Sequence, residues 1–184
     1  MIRLFTAIAI PPAEAQWLTS LQDGVPGARW SPTENMHLTL RFAGQVTERQ
    51  ADDLDAEFET IAGAPFDLTI RGVGAFEERG APRAIWAGVD PSDTLGVLQR
   101  RCENAARRAG LAPETRAWRP HVTLAYVSGA EPARIAAWIQ QNNLARLAPF
   151  EVTEFGLYSS WLSKEGSTYR LERAYPLRQP RRDP

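Results

Sequence analysis

Short apolar runs at residues 2–10 and 84–89 each stop near a proline, Pro11 and Pro91, the pattern of strands that lead into turns. Helical spacing follows both. After "IPP", Trp17, Leu18 and Leu21 share a stripe; after "DPSD", so do Leu95, Leu98, Cys102 and Ala105 or Ala106, with Gly110 as the stop. Thr47 with Gln50 forms a capping-box pattern, so a helix is expected from Thr47, lined by Leu54, Phe58 and Ile61 and ended by Gly63. A counterpart starts near Pro132, with Ile135, Trp138 and Ile139 facing inwards. Strand pairs are expected at 66–76 with 84–89 and at 150–160 with 168–175, around the turns "ERGAP" and "SKEGS". The order is β-α-β-α-β-β, then α-β-α-β-β. It predicts an α+β fold with two mostly antiparallel sheets facing a central cleft and helices packed outside.

The chain repeats itself. "MHLTLRF" (36–42) and "PHVTLAY" (120–126) carry the only two histidines, His37 and His121, 84 residues apart. The same shift lays "PFDLTIRG" (65–72) on "PFEVTEFG" (149–156), with Asp67 against Glu151. Two independent matches at one offset predict a duplication: a single domain, 1–184, made of two pseudo-symmetric lobes.

Both histidine phrases lie where strands are expected, and alternate side chains of a strand share a face. His37, Thr39 and Arg41 would then point one way and Leu38, Leu40 and Phe42 the other. His121 and Thr123 share a face opposite Val122 and Leu124, which also puts Tyr126 on the core side. Two His/Thr pairs converging across a cleft suit chemistry at phosphorus. In-line displacement needs a base on the attacking oxygen and an acid on the leaving one, and imidazole serves either role near neutrality. Threonine hydroxyls can donate to the non-bridging oxygens.

Charge sharpens this reading. Net charge is −1, so no global field draws in nucleic acid, and an anionic substrate needs local cations. Arg41, by alternation, and Arg119, two residues before His121, are the candidates. Two histidines without acidic neighbours at ligand spacing argue against a zinc site. Cys102, the only cysteine, excludes an internal disulfide and fits a reducing compartment. No apolar run approaches the ~20 residues needed to span a bilayer, and "MIRLFTAIAIPP" is too short and weakly charged for a signal peptide. A soluble cytoplasmic monomer is expected. Trp30 and Trp118 read as wall packing, Cys102 and Phe42 as core, and Arg100, Arg101, Arg107 and Arg108 as a solvated helix face. Trp161 and Lys164 read as a structural turn that could border the cleft and stack on a base. The basic tail "RQPRRDP" could brush RNA.

At its histidine motifs the chain resembles the two-histidine phosphoesterases, and more closely the RNA 2′,3′-cyclic phosphodiesterases, also called LigT or 2′-5′ RNA ligases. "RLFTAIAIP", "ARWSPTENMHLTLRFAG", "GVGAFEERGAPRAIWAGV", "WRPHVTLAY" and "FGLYSSWLSKEGSTYRL" carry the similarity along the whole chain. The resemblance implies a bilobal fold, no cofactor, and hydrolysis of RNA 2′,3′-cyclic phosphate ends, tRNA fragments among them, to 2′-phosphates. It implies His121 as proton acceptor, His37 as proton donor, and Thr39 and Thr123 on phosphate oxygens. The family often has arginine where this chain has Tyr126. ATP-independent 2′-5′ ligation, action on a small cyclic nucleotide, and RNA-end binding without catalysis are the alternatives.

Overall fold

The computed structural model describes residues 1–163 and 166–178. In chain order the elements are β1 (Ile2–Ala9), α1 (Pro12–Thr19), β2 (Ala28–Trp30), a 3-10 turn (Thr33–Asn35), β3 (His37–Val46), α2 (Glu48–Glu59), β4 (Phe66–Leu68), β5 (Ile70–Glu78), β6 (Ala81–Val89), α3 (Asp93–Arg108), β7 (His121–Val127), α4 (Pro132–Asn142), β8 (Phe150–Val152), β9 (Glu154–Ser163) and β10 (Gly166–Pro176).

The helices start where their caps are. Thr47 Oγ1 accepts from the Gln50 N–H at 3.2 Å and Gln50 Oε1 accepts from the Thr47 N–H at 3.1 Å, the expected capping box. Helix α2 ends at Glu59, before Gly63, yet Ile61 still packs into the core. Ser92 caps α3, whose apolar stripe of Leu95, Leu98, Cys102, Ala105 and Ala106 is wholly buried. Gly110 follows with φ +86°, where a side chain would be strained. Proline opens α4, and its Ile135 and Trp138 are buried.

The fold is α+β, with two antiparallel sheets. The larger has the order β10-β9-β1-β3-β7-β6-β5, with β2 also on β7; the smaller is β4-β8. The expected strand 66–76 divides at Thr69. Its first three residues pair with β8, not with the hairpin partner of the rest. Two pairings join segments that the 84-residue offset aligns: Leu38 opposite Val122, and Asp67 opposite Glu151. The core lies under the large sheet, where Leu38, Leu40, Leu54, Phe58 and Ile85 are almost wholly excluded from solvent. Among the described residues, no helix is long and apolar enough to cross a membrane.

Candidate active site

Strands β3 and β7 meet at Leu38 and Val122, so the residue before each, His37 and His121, stands beside the junction. Both histidines, with Thr39 and Thr123, line one cleft of about 800 Å³. The predicted convergence of the two His/Thr pairs is therefore present.

Each imidazole is anchored in the same way. His37 Nδ1 lies 2.7 Å from the carbonyl oxygen of Asn35, and His121 Nδ1 lies 2.7 Å from that of Arg119. A carbonyl only accepts, so both Nδ1 atoms carry hydrogen, and Nε2 of each neutral ring is left as the acceptor. The backbone two residues upstream thus selects the tautomer a general base needs. Asn35 is itself fixed by its side-chain amide, which donates to the Ser167 carbonyl on β10 at 2.8 Å. A polar residue just ahead of the motif is the only trace of this in the sequence.

Aromatic rings enclose the pair. Phe5 and Tyr169 lie 4.9 and 5.1 Å from the His37 ring, and Phe76 lies 4.7 Å from that of His121. Burial lowers the His37 pKa to about 4, against which its hydrogen bond to Asn35 works, with a smaller lowering from His121. Burial also lowers His121, opposed by the bond to Arg119. Both shifts favour the neutral ring at neutral pH.

Beyond the threonines, simple alternation fails in both strands at equivalent places. On β3, Thr39 pairs with Ala7 and Arg41 with Thr6, so Leu40 is bulged; on β7, Thr123 pairs with Trp86 and Ala125 with Ile85, so Leu124 is bulged. Each bulge buries two successive residues and turns the third back to the cleft. Arg41 is consequently not a cleft residue. Its side chain is 8% exposed, forms an ion pair with Glu103, and donates to the Ala112 carbonyl at 2.6 Å. Phe42, expected in the core, lines the cleft and is 45% exposed. Tyr126, expected on the core side, also lines the cleft and is 46% exposed.

Arg119 contributes its carbonyl, which holds His121; its side chain is exposed and is not among those lining the cleft. The arginines that do line the cleft are Arg3, Arg29 and Arg116. Arg116 is clamped to Glu114, its Nη2 2.9 Å from Oε2, and holds that carboxyl down at about 2. Arg29 sits on a three-residue strand too short to show periodicity, and no motif pointed to Arg3.

Trp118 is partly buried against the core, and its indole N–H donates to the Thr39 carbonyl at 3.0 Å. Trp30 packs 6.5 Å from Trp138 and also borders the cleft. Trp161 is half exposed and lines a second groove of about 590 Å³, which shares Arg3, Ser160 and Leu162 with the first. Cys102 is buried on its helical stripe, and Arg100, Arg101, Arg107 and Arg108 are on the solvated face. Lys164 and tail residues 179–184 lie outside the described residues. Among the described residues, no three His, Cys, Asp or Glu side chains group as metal ligands.

A family model for the 2′-5′ RNA ligase superfamily matches residues 10–161. An RNA 2′,3′-cyclic phosphodiesterase of Aeropyrum pernix is 32% identical over 140 residues, 74% of this chain and 79% of that protein. One from Thermotoga maritima is 32% identical over 149 residues, 79% and 77% of the two chains. Among solved structures, apo LigT of E. coli superposes with a TM-score of 0.79 at 25% identity, covering 97% of this chain and 98% of that one. A Thermus thermophilus protein superposes with a TM-score of 0.80 at 24% identity, covering 97% and 99%.

Proposed function

The chain belongs to the 2′-5′ RNA ligase superfamily, and from that premise we propose that it hydrolyses RNA 2′,3′-cyclic phosphate ends to 2′-phosphates by paired-histidine catalysis without a metal. The observation that carries the proposal is the matched anchoring of His37 and His121, each with Nδ1 on the carbonyl two residues before it and both facing one cleft.

In this reading His121 Nε2 takes a proton from water as the water oxygen attacks phosphorus. The bond from phosphorus to the 3′ oxygen breaks, and His37 delivers a proton to that oxygen. Thr39 and Thr123 hydroxyls donate to the non-bridging oxygens, where rigid donors stabilise developing charge. His37 must enter the reaction protonated, although burial favours its neutral form. The substrate's negative charge, placed beside both rings, opposes that desolvation. The assignment of donor and acceptor follows the family resemblance; the pH dependence of each single variant tests it. The chain acts as one domain, 1–184, of two pseudo-symmetric lobes. Each lobe contributes one His/Thr pair, so a cytoplasmic monomer suffices, and tRNA fragments with cyclic ends are suitable substrates.

The test is incubation, with chelator present, with a short RNA ending in 2′,3′-cyclic phosphate. The intact protein yields a 2′-phosphate, and His37→Ala and His121→Ala each lose on the order of 10² or more in turnover. Full activity in either variant, or a 3′-phosphate product, refutes the mechanism.

A further inference from the structure

The cations facing the cleft lie outside the histidine motifs, and their placement distinguishes them from one another. Arg29 is paired with Tyr126 across β2 and β7, and its guanidinium carbon sits 5.7 Å from the Tyr126 ring centroid. That stack holds the planar fork in place without using its hydrogen-bonding edge. Arg3 reaches the same end of the cleft from β1; it and Arg29 both act electrostatically on the Tyr126 phenol, beside Tyr169. Neither has a carboxylate partner among the described residues, whereas Arg116 is neutralised by Glu114 and Arg41 by Glu103.

Distance along the strand decides what such cations can meet. His121, Thr123 and Tyr126 are successive cleft-facing positions on β7. At about 3.3 Å per residue, with one residue taken up by the bulge, Tyr126 lies roughly 13 Å along the strand from His121. A guanidinium stacked there belongs to the flank of the cleft, where the Tyr126 phenol meets Tyr169, whose ring lies 5.1 Å from that of His37. It stands where a chain running away from that phosphate would pass.

We propose that Arg29, braced on Tyr126, forms with Arg3 an anion subsite for the phosphodiester on the 5′ side of the reacting nucleotide. The subsite makes the enzyme favour RNA ends over cyclic mononucleotides. The proposal rests on the hydrolytic reading above. A protein with net charge −1 has no long-range attraction for RNA, so affinity for the chain beyond its last nucleotide must come from such local contacts.

The experiment compares kcat/KM for adenosine 2′,3′-cyclic phosphate with that for the dinucleotide ApA ending in the same cyclic phosphate. The intact protein prefers the dinucleotide. Arg29→Ala lowers the dinucleotide-to-mononucleotide ratio about tenfold, the low end for a charge-assisted hydrogen bond, because the side chain is exposed. Arg3→Ala shifts the ratio in the same direction. Arg29→Lys, which keeps the charge and loses the planar stack, falls between. The slope of log KM for the dinucleotide against log salt falls by roughly 0.7 per contact removed. An unchanged ratio in both alanine variants overturns the subsite. If the intact protein turns over neither substrate, the hydrolytic reading fails instead. The subsite then stands or falls on titration with 5′-fluorescein-labelled ApA 3′-phosphate, where equal affinity of the intact protein and Arg29→Ala overturns it.

Discussion

Acid should destabilise this protein through His37 before most of its carboxylates titrate. The folded state holds that imidazole at about 4, against 6.5 for the free group, chiefly by burial. A histidine with a depressed folded pKa resists protonation that the unfolded chain accepts. Its contribution to stability is therefore complete above pH 6.5 and is lost as pH falls through 6.5 towards 4. Linkage with these two values gives a loss of about 2 kcal/mol at pH 5 and about 3 kcal/mol at pH 4, relative to pH 8. His121 is shifted the same way by the same cause and adds to the total. Comparison with His37→Asn removes that ring's pH dependence together with its small coupling to His121. Urea unfolding of both proteins at pH 8 and pH 5 measures it: the intact protein loses about 2 kcal/mol more than the variant. The imidazole resonances of His37, followed by NMR, give the pKa independently. Parallel pH dependence in the two proteins, or a His37 titration near 6.5, refutes the reasoning, because burial would then impose no desolvation on the ring.

Three further consequences can be measured on the folded protein. Arg41→Ala leaves Glu103 without its buried partner and should cost about 3 kcal/mol in denaturant unfolding; loss of turnover at unchanged stability would instead return Arg41 to the cleft. Gly74 leaves room for the Trp86 indole, since a Cβ there would lie 2.4 Å from the ring. Gly74→Ala should destabilise by about 2 kcal/mol through overpacking and lower turnover by moving Trp86 against His121, 6.2 Å away; an unchanged melting temperature counts against this. The Cys102 thiol is fully buried and pushed up by desolvation, so an aromatic disulfide reagent should react with it only after unfolding; stoichiometric labelling of the native protein at pH 8 would contradict its place in the core.

Features that repeat or obey local rules were legible from the residues alone. The capping box at Thr47, the stripe of α3 and the His/Thr faces depend on residues a few positions apart, and each is found where its pattern put it. The 84-residue offset went further, because Leu38 with Val122 and Asp67 with Glu151 turned out to be facing residues in the sheets. What lies beyond Thr39 and Thr123 was decided by tertiary structure. Alternation assumes that a strand and its neighbour advance residue for residue, and the bulges at Leu40 and Leu124 break that assumption. One extra residue reverses the side chains that follow it until the next irregularity, which sends Arg41 to Glu103 and brings Phe42 and Tyr126 to the cleft. The cleft's own cations have the same origin. Arg3 and Arg29 reach the site because β1 packs beside β3 and β2 beside β7, contacts between segments that no local pattern in either one encodes.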